Sequence, residues 1–217
     1  MTEAVYVETG SKRVFAGAIE WPGWCRSAKT DDTAIEALLA YAPDTRRSWR
    51  GGGSGSSRRR APARVRVRER LEGDATTDVG APAIAPRADR RSFEGRDAER
   101  QIAILDACWR AFDRAAAAAE GRELAKGPRG GGRDVDTIVV HVAEAESGYL
   151  SPLGARTPKD GDPRPTIVRV LRPCARRTAR TGPEERKLWT PRYFVRRTAW
   201  HALDHAWEIE DRLQPKA

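Results

Sequence analysis

The sequence predicts an α+β protein: a small β-hairpin-plus-helix module first, then an all-α four-helix bundle. Three observations carry this. Short strand-like runs separated by turn residues open the chain. From Phe93 onward apolar residues recur at intervals of three and four. A final helix opens on Thr190-Pro191 and stays apolar around much of its circumference. The domain layout that follows is residues 1–43, a linker and connector over 44–92, and a helical domain over 93–217.

In the first module, Val5-Tyr6-Val7 and residues 13–19 read as strands, with Thr9-Gly10-Ser11 as the turn between them. Trp21-Pro22-Gly23-Trp24 is a second turn. Thr30-Asp31-Asp32 offers capping oxygens to a helix that carries Ile35, Leu38 and Leu39 on one side. In the helical domain, Ile102, Leu105, Trp109, Phe112 and Ala116 mark the first helix, and Gly121 weakens its end. Residues 127–132 (Gly-Pro-Arg-Gly-Gly-Gly) are loop and lack the Gly-Lys-Ser/Thr ending of a phosphate loop. The next helix covers residues 135–145, with Asp134 as its cap. A third, around residues 167–172, breaks at Pro173. In the last helix, Val195, Ala199, Ala202, Ala206 and Ile209 form one apolar stripe, and Trp200, Leu203 and Trp207 another.

The chain has 217 residues, enough for one or two domains with a sizeable core. No apolar run approaches the roughly 20 residues of a membrane span, and the first residues lack the basic and apolar regions of a signal peptide. Cys25, Cys108 and Cys174 are odd in number and far apart, which suits neither a disulfide framework nor a cysteine metal site. These features predict a cytoplasmic protein without a membrane partner. The formal charge of +9 raises the question of nucleic acid. Residues 44–70, however, hold ten arginines against Asp44 and Glu69, so nearly all the excess is local. Arg/Gly/Ser-rich low complexity reads as flexible linker, and a nucleic-acid partner is disfavoured. Toward its end Val65 and Val67 alternate with arginine as in a strand, and beyond it residues 76–80 look like a loop. The Ala, Arg and Gly content implies GC-rich codons. A shifted frame through such codons yields Arg, Gly, Ser and Pro, the texture of residues 44–70 and again of 164–180; sequencing the coding DNA through both checks this.

The chain has only three histidines, His141, His201 and His205. His201 and His205 stand four apart, so on a helix they project from one face, one turn apart. His141 lies on a separate helix. Three neutral nitrogen ligands that leave coordination positions open describe a catalytic metal site better than a closed structural one. At about 100° per residue, Arg197 and Glu208 share the stripe of His201 and His205, and Asp204 lies on its edge. Such a polar stripe on an apolar helix lines a wet cavity, binds a ligand or faces solvent, because burying it unpartnered is costly.

Two resemblances add to this reading. Ile19-Glu20-Trp21-Pro22-Gly23-Trp24-Cys25, followed by Thr33-Ala34-Ile35-Glu36-Ala37-Leu38, resembles the N-terminal half of HicB-like proteins, which are commonly antitoxins, although modules of this shape are widely reused. The segment Ile138-Val139-Val140-His141-Val142-Ala143-Glu144 together with Trp200-His201-Ala202-Leu203-Asp204-His205 is similar to the DinB-like (DinB/YfiT-like) superfamily of metal-binding four-helix bundles, over about residues 93–213. That resemblance implies His141, His201 and His205 as ligands of a divalent metal: zinc by default, with nickel, iron or manganese as alternatives. It also implies a low-molecular-weight thiol, or water, activated for transfer to or hydrolysis of a small electrophilic substrate. Glu144 and Glu208 are candidates for orienting the histidines or transferring protons, and Arg197 for binding an anionic group. Tyr149, Trp200 and Cys108 read as core. A small-molecule substrate is the expected partner, and a homodimer is allowed. The rival class is a non-enzymatic metal-binding or stress-associated interaction protein.

Overall fold

The computed structural model describes residues 2–41, 64–126, 132–157, 161–174 and 189–213. It is a mixed α/β structure. β1 (Thr2–Thr9), β2 (Val14–Ala18) and β3 (Cys25–Ala28) form an antiparallel meander, α1 (Asp31–Ala40) follows, and β4 (Arg64–Glu72) adds parallel to β1, giving the sheet order β3-β2-β1-β4. α2 (Ala75–Val79) and a 3₁₀ turn at Arg87–Arg90 lead to α3 (Gly95–Ala118), α4 (Val135–Leu150), α5 (Pro163–Cys174) and α6 (Pro191–Arg212).

The N-terminal sheet buries both faces. Val5, Val7, Val14, Ala16 and Ala18 meet Ala34 and Leu38 of α1, and the Trp24 indole donates to the Leu38 carbonyl at 2.8 Å. Thr30 caps α1 in a reciprocal capping box with Thr33. On the opposite face Phe15 and Cys25 close against Trp200 of α6. Gly23, in a left-handed conformation at φ +91°, lets the Trp21–Trp24 turn approach α6: a Cβ there would stand 3.0 Å from Leu203 and 3.2 Å from Ala199.

One strand is not expected from the sequence, and a second only from the alternation of Val65 and Val67 with arginine. Residues 76–79, which read as loop, belong to the short helix α2 capped by Asp74. β3 has only four residues, and its polar Arg26 and Ser27 leave no alternation to see. β4 comes from the segment whose composition reads as linker. Its exposed and partly covered residues alternate strictly, with Val65 and Val67 against the sheet core and Arg64, Arg66 and Arg68 outward. A strand needs apolar side chains only at every second position, so an arginine-rich average does not exclude one. Arginines on an edge strand also discourage pairing with other chains. The rest of the basic segment, residues 42–63, lies outside the described residues.

The four long helices share one apolar core built from Ile102, Leu105, Trp109 and Phe112 of α3, Ile138, Val142 and Leu150 of α4, Ile167 and Leu171 of α5, and Phe194, Ala202 and Trp207 of α6. α6 runs along α3 and packs on α4, while α5 touches α3 and α4. α5 is longer than its sequence suggests. Pro163 and Pro165 sit in its first turn, where backbone N–H groups have no intrahelical acceptor. Residues 175–180 of the second Arg-rich stretch lie outside the described residues.

Sheet and helices meet at a buried clasp. The Arg196 guanidinium, 6% exposed, pairs with both Asp89 oxygens at 2.7 and 2.8 Å and donates to the carbonyls of Ala18 and Ile19 at 2.8 Å. One turn earlier, Arg192 reaches the Ser92 carbonyl and Asp97. Glu8, fully buried, accepts from the Thr77 hydroxyl and from the backbone N–H of Ala83 and Ile84. The connector between sheet and bundle is therefore held at each end. Asp89→Ala strands the Arg196 charge and is expected to lower stability in denaturant unfolding by about 3–5 kcal/mol, whereas Arg110→Ala, at an exposed pair with Asp106, should cost under about 0.5 kcal/mol.

Candidate metal centre

Capped helices set the site. Asp134 accepts from the Thr137 backbone N–H at 2.7 Å and starts α4, which places His141 in its second turn. Thr190 accepts from the Tyr193 N–H, and Pro191 at the first helical position starts α6, placing His201 and His205 midway along it.

The three histidines come together. Nε2 of His201 lies 3.2 Å from Nε2 of His141 and 3.2 Å from Nε2 of His205, and one ligand atom from each residue falls within 4.8 Å of the others. The rings meet edge-on, at 61°, 86° and 90°. Nitrogens each about 2.0–2.1 Å from one ion, at octahedral to tetrahedral angles, would stand about 2.9–3.4 Å apart. The cluster is therefore compact enough to hold a metal ion. His201 and His205 are 7% and 6% exposed, whereas His141 is half-buried, so the centre opens on its α4 side.

Protonation favours ligation. Burial, then His205, His141, Arg197 and Arg133, push His201 down to about 2, so it is neutral across the physiological range. Burial, then Arg133 and His205, also lower His141. His205 donates from Nδ1 to Glu208 at 2.7 Å and turns its Nε2 toward the cluster, the arrangement that orients a ligand histidine. Glu208 is itself held below its ordinary value, first by the His205 hydrogen bond, and its second oxygen takes Arg212 at 2.7 Å. Nδ1 of His201 is buried with no partner among the described residues.

The other expected site residues divide. Glu208 adjoins the cluster. Arg197 donates to the Pro82 carbonyl at 2.7 Å and lies over the Trp200 and Tyr149 rings, beside His201. Glu144 is exposed and forms no hydrogen bond to the histidines; it reaches His141 only through its charge. Asp204 turns away to Arg26. Trp200 and Cys108 are core, as their patterns suggest. Tyr149 is not wholly so: its ring stands 5.8 Å from that of His201. Arg133, exposed just ahead of α4, acts on His141 and His201 only through its charge, and the sequence pattern does not single it out. Arg212, one turn after Glu208, was visible as an i,i+4 pair.

The linkage sign follows from the lowered His201 value. An unfolded imidazole takes up a proton near pH 6.5 while the folded one does not, so stability falls as pH drops below 6.5. Glu146, pushed up to about 7 chiefly by burial, acts oppositely: stabilising at low pH, its contribution is lost as pH rises from 4.5 through 7. In metal-free protein, comparison with His201→Gln should therefore isolate a slope of about 1 kcal/mol per pH unit between pH 6 and 5; equal slopes in both proteins would contradict the neutral buried imidazole. No protein-family model matches the chain, and no curated protein or solved structure matches it.

Proposed function

We propose that the chain is a metal-dependent enzyme of the DinB-like superfamily, acting on a small electrophilic substrate by transfer of a low-molecular-weight thiol or by hydrolysis. The observation that supports this reading most is the convergence of three imidazole edges on one point, with His205 oriented by a carboxylate. Nε2 of His201 stands 3.2 Å from that of His141 and from that of His205, and nitrogens this close gain from a shared cation. A bound divalent ion supplies Lewis acidity and lowers the pKa of a coordinated water or thiol. Zinc is the default because imidazole suits it without selecting it; nickel, iron and manganese are alternatives. Glu208 orients His205 and screens its proton, and Arg197 lies where an anionic part of a thiol or substrate would rest. Glu144, exposed beside His141, is placed to exchange protons with solvent.

A second reading, non-enzymatic metal binding, draws support from the burial of two of the three ligands. Both are tested on protein purified without a metal-affinity tag. Elemental analysis after zinc or nickel addition is expected to give about one metal per chain; under about 0.1 ends both readings. His201→Ala should abolish metal uptake and His141→Ala should weaken it. In cobalt-substituted protein, a small thiol that shifts the visible spectrum shows an open position and favours the enzyme, while an unresponsive spectrum favours simple binding.

A further inference from the structure

We propose that the wall beside the histidines is a subsite for a small oxyanion carried on a flat, unsaturated body, so that the substrate class of this centre is an aromatic or conjugated acid. As an assignment of substrate, this rests on the metal-dependent reading above. The groups that form the subsite do not depend on the ion.

The first observation is a charge without a counter-charge. Three arginines on the first two turns of α6 reach toward the connector. Arg192 is paired with Asp97, and Arg196 with Asp89. Arg197 has a backbone carbonyl, Pro82, and the Tyr149 side chain, but no carboxylate pairs with it among the described residues. A half-buried guanidinium fixed in this way, with donors to spare, fits a carboxylate or phosphate in its own plane. Glu208, the acid beside the histidines, is occupied by His205 and Arg212. Arg133 adds a further positive field at His141 and His201.

The second observation is aromatic. The Arg197 carbon stands 4.8 Å from the Trp200 ring centroid and 5.6 Å from that of Tyr149. Tyr149 in turn lies 5.8 Å from the His201 ring and 5.4 Å from Trp189. With rings against the guanidinium, a ligand meets it through its N–H edge. The partly exposed rings of Tyr149 and Trp189 then offer a surface on which a flat group stacks. Charge and ring thus stand together, one side chain away from the point where the three Nε2 atoms converge.

Calorimetric titration with benzoate, acetate and benzamide tests this on the full chain, with and without zinc, metal content being measured separately. Benzoate is expected to bind at least about tenfold more tightly than either of the others. Arg197→Gln should keep its metal and lose the preference for benzoate over benzamide. Tyr149→Leu should keep that preference and lose the one for benzoate over acetate. No preference in the wild type, or an unchanged preference for benzoate over benzamide in Arg197→Gln, overturns the subsite. Should Arg197→Gln fail to fold, the wild-type comparison and Tyr149→Leu decide. Absence of metal alone overturns the metal reading, while the same titrations on metal-free protein still decide the subsite.

Discussion

The arrangement of the protein depends on the burial of one guanidinium. Arg196 lies out of water, where an unpaired charge would be intolerable, so its partners have to be in place whenever the fold is formed. Those partners come from two parts of the chain outside α6: the end of the β2 strand through Ala18 and Ile19, and the connector through Asp89. Satisfying one side chain therefore fixes the position of sheet, connector and helix together. Arg197 is the next residue, and His201 lies one turn beyond it.

α6 serves two cores at once. One side contributes Phe194, Ala202 and Trp207 to the helical core, and another receives Phe15 and Cys25 of the sheet through Trp200. Arg192 and Arg196 of this helix serve the clasp, while the stripe of Arg197, His201, His205 and Glu208 carries the histidine cluster. Each polar group on it except the buried Nδ1 of His201 has a described partner. The connector completes this arrangement. Glu8 holds residues 83 and 84, and the adjacent Pro82 carbonyl takes Arg197, so a buried carboxylate of the sheet helps to place a cation at the edge of the histidine cluster.

The parts legible in the sequence are those encoded locally. His201 and His205 share a face because one helix carries them. Thr190, Asp134 and Thr30 announce their helices because capping involves residues only three apart. That His141 closes the cluster was legible only as a third histidine on another amphipathic helix; the distance required the packing of α4 on α6. β3 was not legible because four half-covered residues show no period. β4 was legible in the alternation of Val65 and Val67 with arginine, but its place in the sheet was not, because the composition around it reads as linker and its pairing with β1 is distant in sequence. Tyr149 read as core, because its approach to His201 comes from the packing of α4 on α6 and leaves no mark in the local pattern. The resemblance to a metal-binding bundle pointed to the same three residues, and the geometry is compatible with it without identifying a family.

The parallel pairing of β1 with β4 has a consequence for how the chain folds. Thr2 is opposite Arg64 and Thr9 opposite Glu72, so about sixty residues must be looped out before this ladder closes, and the β2 end must wait still longer for α6. Contacts so distant in sequence slow folding, because loop entropy is lost before the contacts compensate. Until β4 arrives, β1 presents an open edge bearing Val5, Tyr6 and Val7, a template on which another chain can pair. The exposed arginines of the late strand guard the finished sheet, but they offer nothing to the intermediate that lacks it. Any chain in which β1 has formed before β4 pairs with it would expose that edge, and how long it does so depends on closing the loop between them.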